Sequence, residues 1–339
     1  MLRLLPDAAA ARFVASRAPR VSPRRYRLRV LHAADGVVVL ESTQSTVMPG
    51  RYGLLDRDGS FVQVGDVLRA SPEQVVRRLH GELPPQMLTR PVSWTGRLHA
   101  SPADVGRMPE LIELADVQAW QFQALGGERE RWAVHLGGLG ADGLSALRGV
   151  TAADMAGYGS LVLNVEYGGT HTFGVDEREH LRAAIAYLRA IGATRVSIIG
   201  WSYGASAALS YIASGADDIV TSLVGVSPLV SWRDAIRAAV ESAGLRPSVT
   251  DRAMRLLDEA AASGLEVSAL GWPGDAPLPI PMLAIHSRGD RTLPFSSTAA
   301  FAERNPSVVL SERTPSPHTL EWNAGGNALL ADVASFLRR

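Results

Sequence analysis

From Trp132 onward the chain alternates short apolar runs with amphipathic helical patterns. Such runs are typical of parallel strands, which are buried on both faces and are joined by helical crossovers. The alternation predicts an α/β fold with a mostly parallel, doubly wound sheet flanked by helices. The predicted strands are Trp132–Leu136, Leu161–Val165, Arg195–Ile199, Val220–Val226, Met282–His286 and Val308–Arg313.

The third predicted strand runs directly into Gly200-Trp201-Ser202-Tyr203-Gly204, and Ala205–Ile212 then reads as a helix. This segment matches G-x-S-x-G, in which a serine sits on a sharp turn between a strand and a helix. The positions two residues before and after the serine must be small so that strand and helix can approach each other. We therefore expect Ser202 to be a nucleophile.

A serine hydroxyl is a weak nucleophile unless a base takes its proton and a third group orients that base. In this arrangement the acid follows the serine in the chain and the histidine comes last. Asp290 lies in the loop after Met282–His286, and His318 is the only histidine after Asp290. These two residues are the predicted acid and base, whereas His286 is expected to hydrogen-bond a neighbouring loop.

An acyl-transfer site also needs backbone N–H groups directed at the developing oxyanion. One N–H group is expected from Tyr203, the residue after the serine. The other is expected from Leu136 or Gly137, where the first predicted strand ends in a glycine-rich loop.

The first 125 residues read as a β-rich accessory region with no chemistry of its own, and residues 126–339 as the catalytic domain. Asp35-Gly36 predicts a hairpin turn, and a second hairpin flanks Arg57-Asp58-Gly59. The capping pattern that begins at Ser71 predicts a short helix running to Leu79.

A helical insertion at about 231–278 follows a strand end on the catalytic side and is predicted to be a lid. Its helices are expected at Trp232–Ala243 and Thr250–Ser263, with a return through Trp272-Pro273-Gly274. Four side chains are predicted to line the substrate pocket: Trp201, His171, Met254 and Leu257.

Composition excludes several classes of function. The 34 Lys and Arg residues balance the 34 Asp and Glu residues, so no basic excess favours nucleic acid or an anionic membrane. The chain has no cysteine, which rules out disulfides and cysteine-ligated metals. We expect a cytoplasmic protein that needs neither cofactor nor metal, and the composition indicates no oligomeric state.

From Trp132 to the C-terminus the chain resembles the α/β-hydrolase superfamily. The segment Gly200–Gly204 is most similar to that of the prolyl oligopeptidase/dipeptidyl peptidase branch. The whole chain also resembles a group of actinobacterial α/β-hydrolases that carry a Pro-Gly-Arg-Tyr-Gly-Leu motif, here Pro49–Leu54. It departs from the peptidase branch because the region before Trp132 is too short for a full β-propeller. In addition, His135–Gly138 replaces a tyrosine-bearing oxyanion loop.

These observations predict a serine hydrolase that cleaves a small carboxylic ester through an acyl-enzyme. Two alternatives remain open: a peptidase or amidase of the prolyl oligopeptidase type, and a ligand-binding protein of the same fold without catalysis.

Overall fold

The computed structural model describes residues 6–126, 129–166, 169–260, 267, 270–272 and 276–339. Its strands form two sheets, and the smaller sheet has six antiparallel strands in the order β1-β2-β5-β4-β3-β6. These strands are β1 (Val30–Ala34), β2 (Val37–Glu41), β3 (Tyr52–Leu55), β4 (Phe61–Ala70), β5 (Gln74–His80) and β6 (Ser93–Thr95). Both predicted hairpins, β1–β2 and β3–β4, are confirmed.

The larger sheet has eight strands in the order β14-β13-β12-β11-β9-β10-β8-β7. The six strands from β9 to β14 are parallel and confirm the predicted sheet. The strands are β7 (Glu110–Leu114), β8 (Val117–Phe122), β9 (Arg131–Leu136), β10 (Gly159–Asn164), β11 (Arg195–Trp201), β12 (Val220–Val226), β13 (Met282–Ser287) and β14 (Val308–Arg313).

The antiparallel hairpin β7–β8 adds to the edge of the larger sheet at β10. The expected boundary at residue 125 therefore falls after two strands that belong to the α/β unit. Leu114 and Ala119 of this hairpin are buried in the same core as β9 and β10. An alternating strand pattern indicates a strand but does not say which sheet the strand joins.

Helices cover both faces of the larger sheet. The described helices are α1 (Asp7–Arg17), α2 (Gly143–Ala146), α3 (Val150–Met155), α4 (Val175–Ala190), α5 (Tyr203–Ala213), α6 (Trp232–Ser242), α7 (Ser248–Ala260), α8 (Phe295–Arg304) and α9 (Glu321–Leu337). Apolar residues of α4, α5 and α8 form the core on one face, and those of α3 and α9 form the core on the other.

The helix predicted from Ser71 to Leu79 is wrong, because Gln74–His80 is strand β5. The Ser71 hydroxyl does accept hydrogen bonds from the N–H groups of Glu73 and Gln74, but this motif closes a turn between β4 and β5. Val75 and Arg77 are both fully buried and two residues apart, which is the period of a strand. Pairing with β2 and β4 outweighs the capping signal.

The smaller sheet is joined to the last helix by the side chain of Asn323. Its amide Nδ2 donates hydrogen bonds of 2.7 Å to the carbonyl of Arg51 and 2.9 Å to the carbonyl of Gly96. Gly50 has φ 97°, and a β-carbon there would lie 2.1 Å from the carbonyl oxygen of Asn323. The Pro49–Leu54 motif therefore forms part of the contact between the accessory sheet and α9, together with Gly96.

Helices α6 and α7 lie close to their predicted ranges in the insertion. The apolar face of α7 packs against α1 and α6, and together the three helices form one cluster. Residues 261–263, predicted to end the second helix, and Pro273 and Gly274 in the predicted return lie outside the described residues.

Candidate active site

Ser202 occupies the sharp turn between β11 and α5. It has φ 52° and ψ −110°, a strained conformation for a residue with a side chain. A β-carbon on Gly200 would lie 2.7 Å from the nitrogen of Ala205, and one on Gly204 would lie 2.4 Å from the carbonyl oxygen of Leu136. Only glycine fits at both positions, as the G-x-S-x-G pattern predicts.

Two loops at the carboxyl edge of the sheet bring a histidine and a carboxylate to Ser202. Nε2 of His318 lies 2.8 Å from the Ser202 hydroxyl, and Nδ1 of the same ring lies 2.6 Å from Oδ2 of Asp290. Because Asp290 accepts the Nδ1 proton, Nε2 is left to accept the proton of the serine. The three residues chosen from their order in the chain thus form one continuous series of hydrogen bonds.

Asp290 is buried and surrounded by donors. The N–H groups of Thr292 and Leu293 bond to its Oδ1, at 2.7 and 3.0 Å, and Nε2 of His286 lies 3.1 Å from Oδ2. Burial alone would raise the pKa of Asp290, but the hydrogen bonds from His286, His318 and Leu293 outweigh it and hold this pKa well below its usual range. The carboxylate is therefore charged at every pH at which the protein would be assayed.

Asp234 is the first carboxylate in the sequence after β12, the strand that precedes the one leading to Asp290. Its Oδ2 accepts a hydrogen bond from Ser297 at 2.7 Å, and its Oδ1 pairs with Arg237 at 3.2 Å. Asp234 thus links α6 to α8 and is not a partner of His318.

A serine at the end of β12 holds the loop that carries His318. The Ser227 hydroxyl accepts a hydrogen bond of 3.1 Å from the N–H of Thr319 and donates one to the buried carboxyl of Glu321. Both Ser227 and Thr319 have positive φ, 43° and 61°. The sequence did not indicate this role, because nothing in the short Ser227-Pro228 segment points to a partner 92 residues away.

A cavity of about 500 Å³ opens at Ser202 and His318. Trp201, Tyr203 and Gly137 line it, as do Gly138–Ala141 after β9. A β-carbon on Gly138 would lie 3.5 Å from that of Ser202, so this loop passes directly beside the serine. Leu136 is fully buried at the end of β9 and does not line the cavity.

His171, Met254 and Leu257, which were predicted to line the pocket, lie behind its wall. The His171 ring stacks on Trp232 at 5.4 Å, and its Nε2 lies 2.8 Å from the carbonyl oxygen of Ala18. Met254 and Leu257 are buried in the cluster that α7 forms with α1. The insertion instead reaches the cavity through Trp232 and Ala235 of α6. A hydrophobic period identifies the buried face of a helix but not which neighbour covers it.

His135 is fully buried at the end of β9, with Nε2 3.0 Å from the Ser160 hydroxyl. Burial lowers the pKa of this histidine to about 3, so its ring is neutral in the folded protein. His135 thus bonds β9 to β10 below the glycine-rich loop, and within the described residues it forms no hydrogen bond with Ser202.

The described part of the chain holds no group of three or more His, Asp or Glu side chains placed to bind a metal ion. Within the same residues, no helix is both long and apolar enough to cross a bilayer.

A family model described as a domain of unknown function (DUF8805) matches residues 29–95, which correspond to the accessory sheet. No curated protein matches the chain. Several solved structures do match it in fold. An esterase of Pyrococcus furiosus, Pf2001, is 20% identical with a TM-score of 0.53, and the match covers 70% of this chain and 94% of that one.

Two further structures give similar values. An esterase/lipase from an uncultured bacterium is 17% identical with a TM-score of 0.52, covering 68% of this chain and 84% of that chain. A hormone-sensitive lipase from a metagenome library is 16% identical with a TM-score of 0.52, covering 70% and 88%. Together with the parallel sheet and the serine turn between β11 and α5, these similarities establish that the chain has the α/β-hydrolase fold.

Proposed function

We propose that the protein hydrolyses a small carboxylic ester through a covalent acyl-enzyme. The observation that carries the proposal is the unbroken series of hydrogen bonds from Ser202 through His318 to Asp290, since Ser202 and His318 line a cavity large enough for a small molecule. The folds of the esterases and lipases named above are compatible with this reaction.

The first half-reaction acylates the serine. As the Ser202 oxygen attacks the ester carbonyl, His318 takes the hydroxyl proton through Nε2, and Asp290 stabilises the resulting imidazolium. The tetrahedral intermediate then collapses, the bond to the alcohol breaks, and His318 returns the proton to the leaving oxygen. In the second half-reaction water attacks the acyl group by the same route, which releases the acid and regenerates the serine.

The oxyanion of each intermediate needs two donors. We assign one to the backbone N–H of Tyr203, at the first turn of α5, where the helix dipole also favours negative charge. For the other we favour Gly137 over Leu136, since Gly137 lines the cavity and Leu136 does not. Removing such a donor typically costs about 3 kcal/mol in the transition state.

We propose that α6 acts as part of a lid that shapes the acyl site. Trp232 and Ala235 of this helix line the same cavity as Ser202. Helix α7 is not in the lining and serves as the support on which α6 rests, because its apolar residues pack against α1 and α6.

The decisive experiment is labelling with a fluorophosphonate probe, followed by a hydrolysis screen. Wild-type protein should be labelled, and Ser202→Ala should be neither labelled nor active, with kcat reduced by several orders of magnitude. Ser145→Ala is the matched control, because Ser145 lines the same cavity but its hydroxyl donates to Asp142. Turnover by folded Ser202→Ala at the wild-type rate would disprove the assignment.

The screen separates the reaction classes. It compares p-nitrophenyl esters of graded chain length with aminoacyl anilides. Ester turnover without anilide turnover supports the proposal, and the reverse would make the protein a peptidase or amidase. Absence of both labelling and turnover would leave the non-catalytic binding protein.

A further inference from the structure

One wall of the active-site cavity is rich in arginine. Arg24, Arg97 and Arg148 all line it, and the described residues of this lining include neither Asp nor Glu. The three guanidinium groups come from separate parts of the chain: the extended segment after α1, the segment after β6, and the turn between α2 and α3. A cavity lined by three arginines, a nucleophile and no carboxylate favours a negatively charged ligand.

Of the three arginines, Arg148 is the best placed to bind an anionic ligand. It is only 6% exposed, and its Nη1 donates to the carbonyl of Thr319 at 3.1 Å and to Oδ1 of Asn323 at 2.8 Å. Its Nε is buried without a hydrogen-bond partner among the described residues. The guanidinium also lies 5.3 Å from the ring centre of Trp201, next to the nucleophile in sequence.

Burying the charged side chain of Arg148 without an ion-pair partner costs free energy. Burial lowers the pKa of Arg148 to about 10, with Glu321 opposing the shift, so the side chain is protonated at neutral pH. No carboxylate in the described structure forms an ion pair with it. A guanidinium with an unused donor is suited to a planar or tetrahedral oxyanion, which accepts several N–H bonds at once.

The other two arginines leave the wall positive. Arg97 is buried, donates to the carbonyls of His99 and Ala100, and pairs with Asp142 at 3.3 Å. Burial lowers the pKa of Arg97, Asp142 opposes this, and the charge of Arg24 lowers it further, so the two arginines are near neighbours. Arg24 is half-buried and forms no ion pair within the described residues. Of the three arginines, Arg97 alone forms an ion pair within the described residues, and Glu321 attracts Arg148 from outside the cavity lining.

The accessory sheet fixes this arrangement. A β-carbon on Gly96 would lie 2.4 Å from Nη1 of Arg148, so the chain after β6 presses directly on the guanidinium. Arg148 also borders a second cavity of about 390 Å³, whose lining includes both Arg51 and Asp66. Those two charges offset each other, whereas no carboxylate among the described lining residues beside Ser202 offsets the arginines there.

We propose that the ester cleaved by this protein carries an oxyanionic group, a carboxylate or a phosphate, bound by Arg148 together with Arg24. The proposal rests on the ester hydrolysis proposed above and adds the substrate class. It also gives the accessory region a role, since the residues after β6 complete the charged wall.

The test compares two substrates of equal chain length: p-nitrophenyl hemisuccinate, which is an anion, and its neutral methyl ester. The wild-type protein should favour the anion in kcat/KM by about ten- to a hundredfold, the usual value of a hydrogen bond to a charged group. Arg148→Met and Arg24→Met should each lower this ratio toward one. Arg29→Met is the matched control, because Arg29 is exposed on the accessory sheet and lines no part of the cavity. Equal rates on both esters, or a preference retained in both cavity variants, would overturn the proposal.

A binding measurement keeps this test independent of catalysis. In Ser202→Ala protein at constant ionic strength, succinate or inorganic phosphate should raise Tm relative to chloride, and adding Arg148→Met should abolish the rise. The anion that raises Tm more shows whether the site prefers a carboxylate or a phosphate. If no ester is hydrolysed but the rise in Tm occurs and needs Arg148, the anion site stands while the hydrolase proposal fails. If neither anion raises Tm, the anion site fails.

Discussion

His286 lies 3.1 Å from Asp290, with its Nε2 at the same carboxylate oxygen that receives His318. Because an ionised carboxylate can only accept, Nε2 of His286 carries a proton and donates it to Asp290, while Nδ1 on the far side of the ring lies 2.8 Å from the Thr298 hydroxyl. Asp290 is therefore held between two histidines, only one of which contacts the serine.

The first prediction concerns this positioning residue. Replacing His286 with Leu removes one donor from Asp290, which should let the carboxylate turn away from His318. We expect kcat on a neutral ester to fall about tenfold with KM almost unchanged, since the lost bond matters most when the imidazolium forms. Thr298→Val keeps His286 as a donor to Asp290, so its kcat should fall by less than that of His286→Leu. Wild-type kcat in folded His286→Leu would show that Asp290 needs no second histidine.

A second prediction separates two glycines of the site. Gly204→Ala should lower the free energy of unfolding by about 1–3 kcal/mol and abolish activity, because its β-carbon would collide with the carbonyls of Leu136 and Gly137. Gly137→Ala should fold normally, since its nearest neighbour would be 3.6 Å away and the N–H is retained. Denaturant unfolding of both variants measures the difference. Equal stabilities would contradict the close approach of α5 to the end of β9.

The third prediction tests the lid. Ala235→Leu should fill part of the cavity and reduce the rate on hexanoate relative to acetate about tenfold, a typical effect of one or two methylene groups in an apolar site. Met254→Ala should instead lower the free energy of unfolding by about 2–5 kcal/mol and leave the relative rates as they are. The measurement is kcat/KM across p-nitrophenyl esters. A change of chain-length preference in Met254→Ala alone would transfer the role to α7.

A fourth prediction follows from the neutral His135. Its pKa is about 3 in the folded state and 6.5 in the unfolded state. Between these values the unfolded chain binds one proton that the folded chain does not, so the free energy of unfolding falls as pH falls, by about 1.4 kcal/mol per pH unit for this group. His135→Gln should flatten that slope, as measured by urea unfolding between pH 6.5 and 4.5. The exposed His32 provides the control: a slope equally reduced in His32→Gln would contradict the assignment.

The sequence predicted the parallel strands well because each is a continuous apolar run, and a run buried on both faces has few alternatives. It predicted Ser202, Asp290 and His318 because strand ends and chain order constrain where such residues can meet. These constraints are local or depend only on order along the chain, so one sequence is enough to apply them.

Other features depend on contacts between distant segments. Val75-Val76 favours a strand, and Ser71 favours a helix start; only the pairing of β5 with β2 and β4 decides between them. Arg148 reads as an ordinary helical arginine, because its place beside Trp201 depends on Asn323 and Gly96, which are remote in sequence. The same holds for α7, whose apolar face is covered by α1 and not by substrate.

The bond from Asn323 to Arg51 joins residues 272 positions apart. During synthesis, almost the whole α/β unit must therefore be made before Arg51 of the accessory region has its partner Asn323 on α9. Contacts of such long sequence separation form late in folding. A chain interrupted before Asn323 would leave Arg51 in the Pro49–Leu54 motif without this partner, so the first turn of α9 completes the contact between the accessory sheet and the α/β unit.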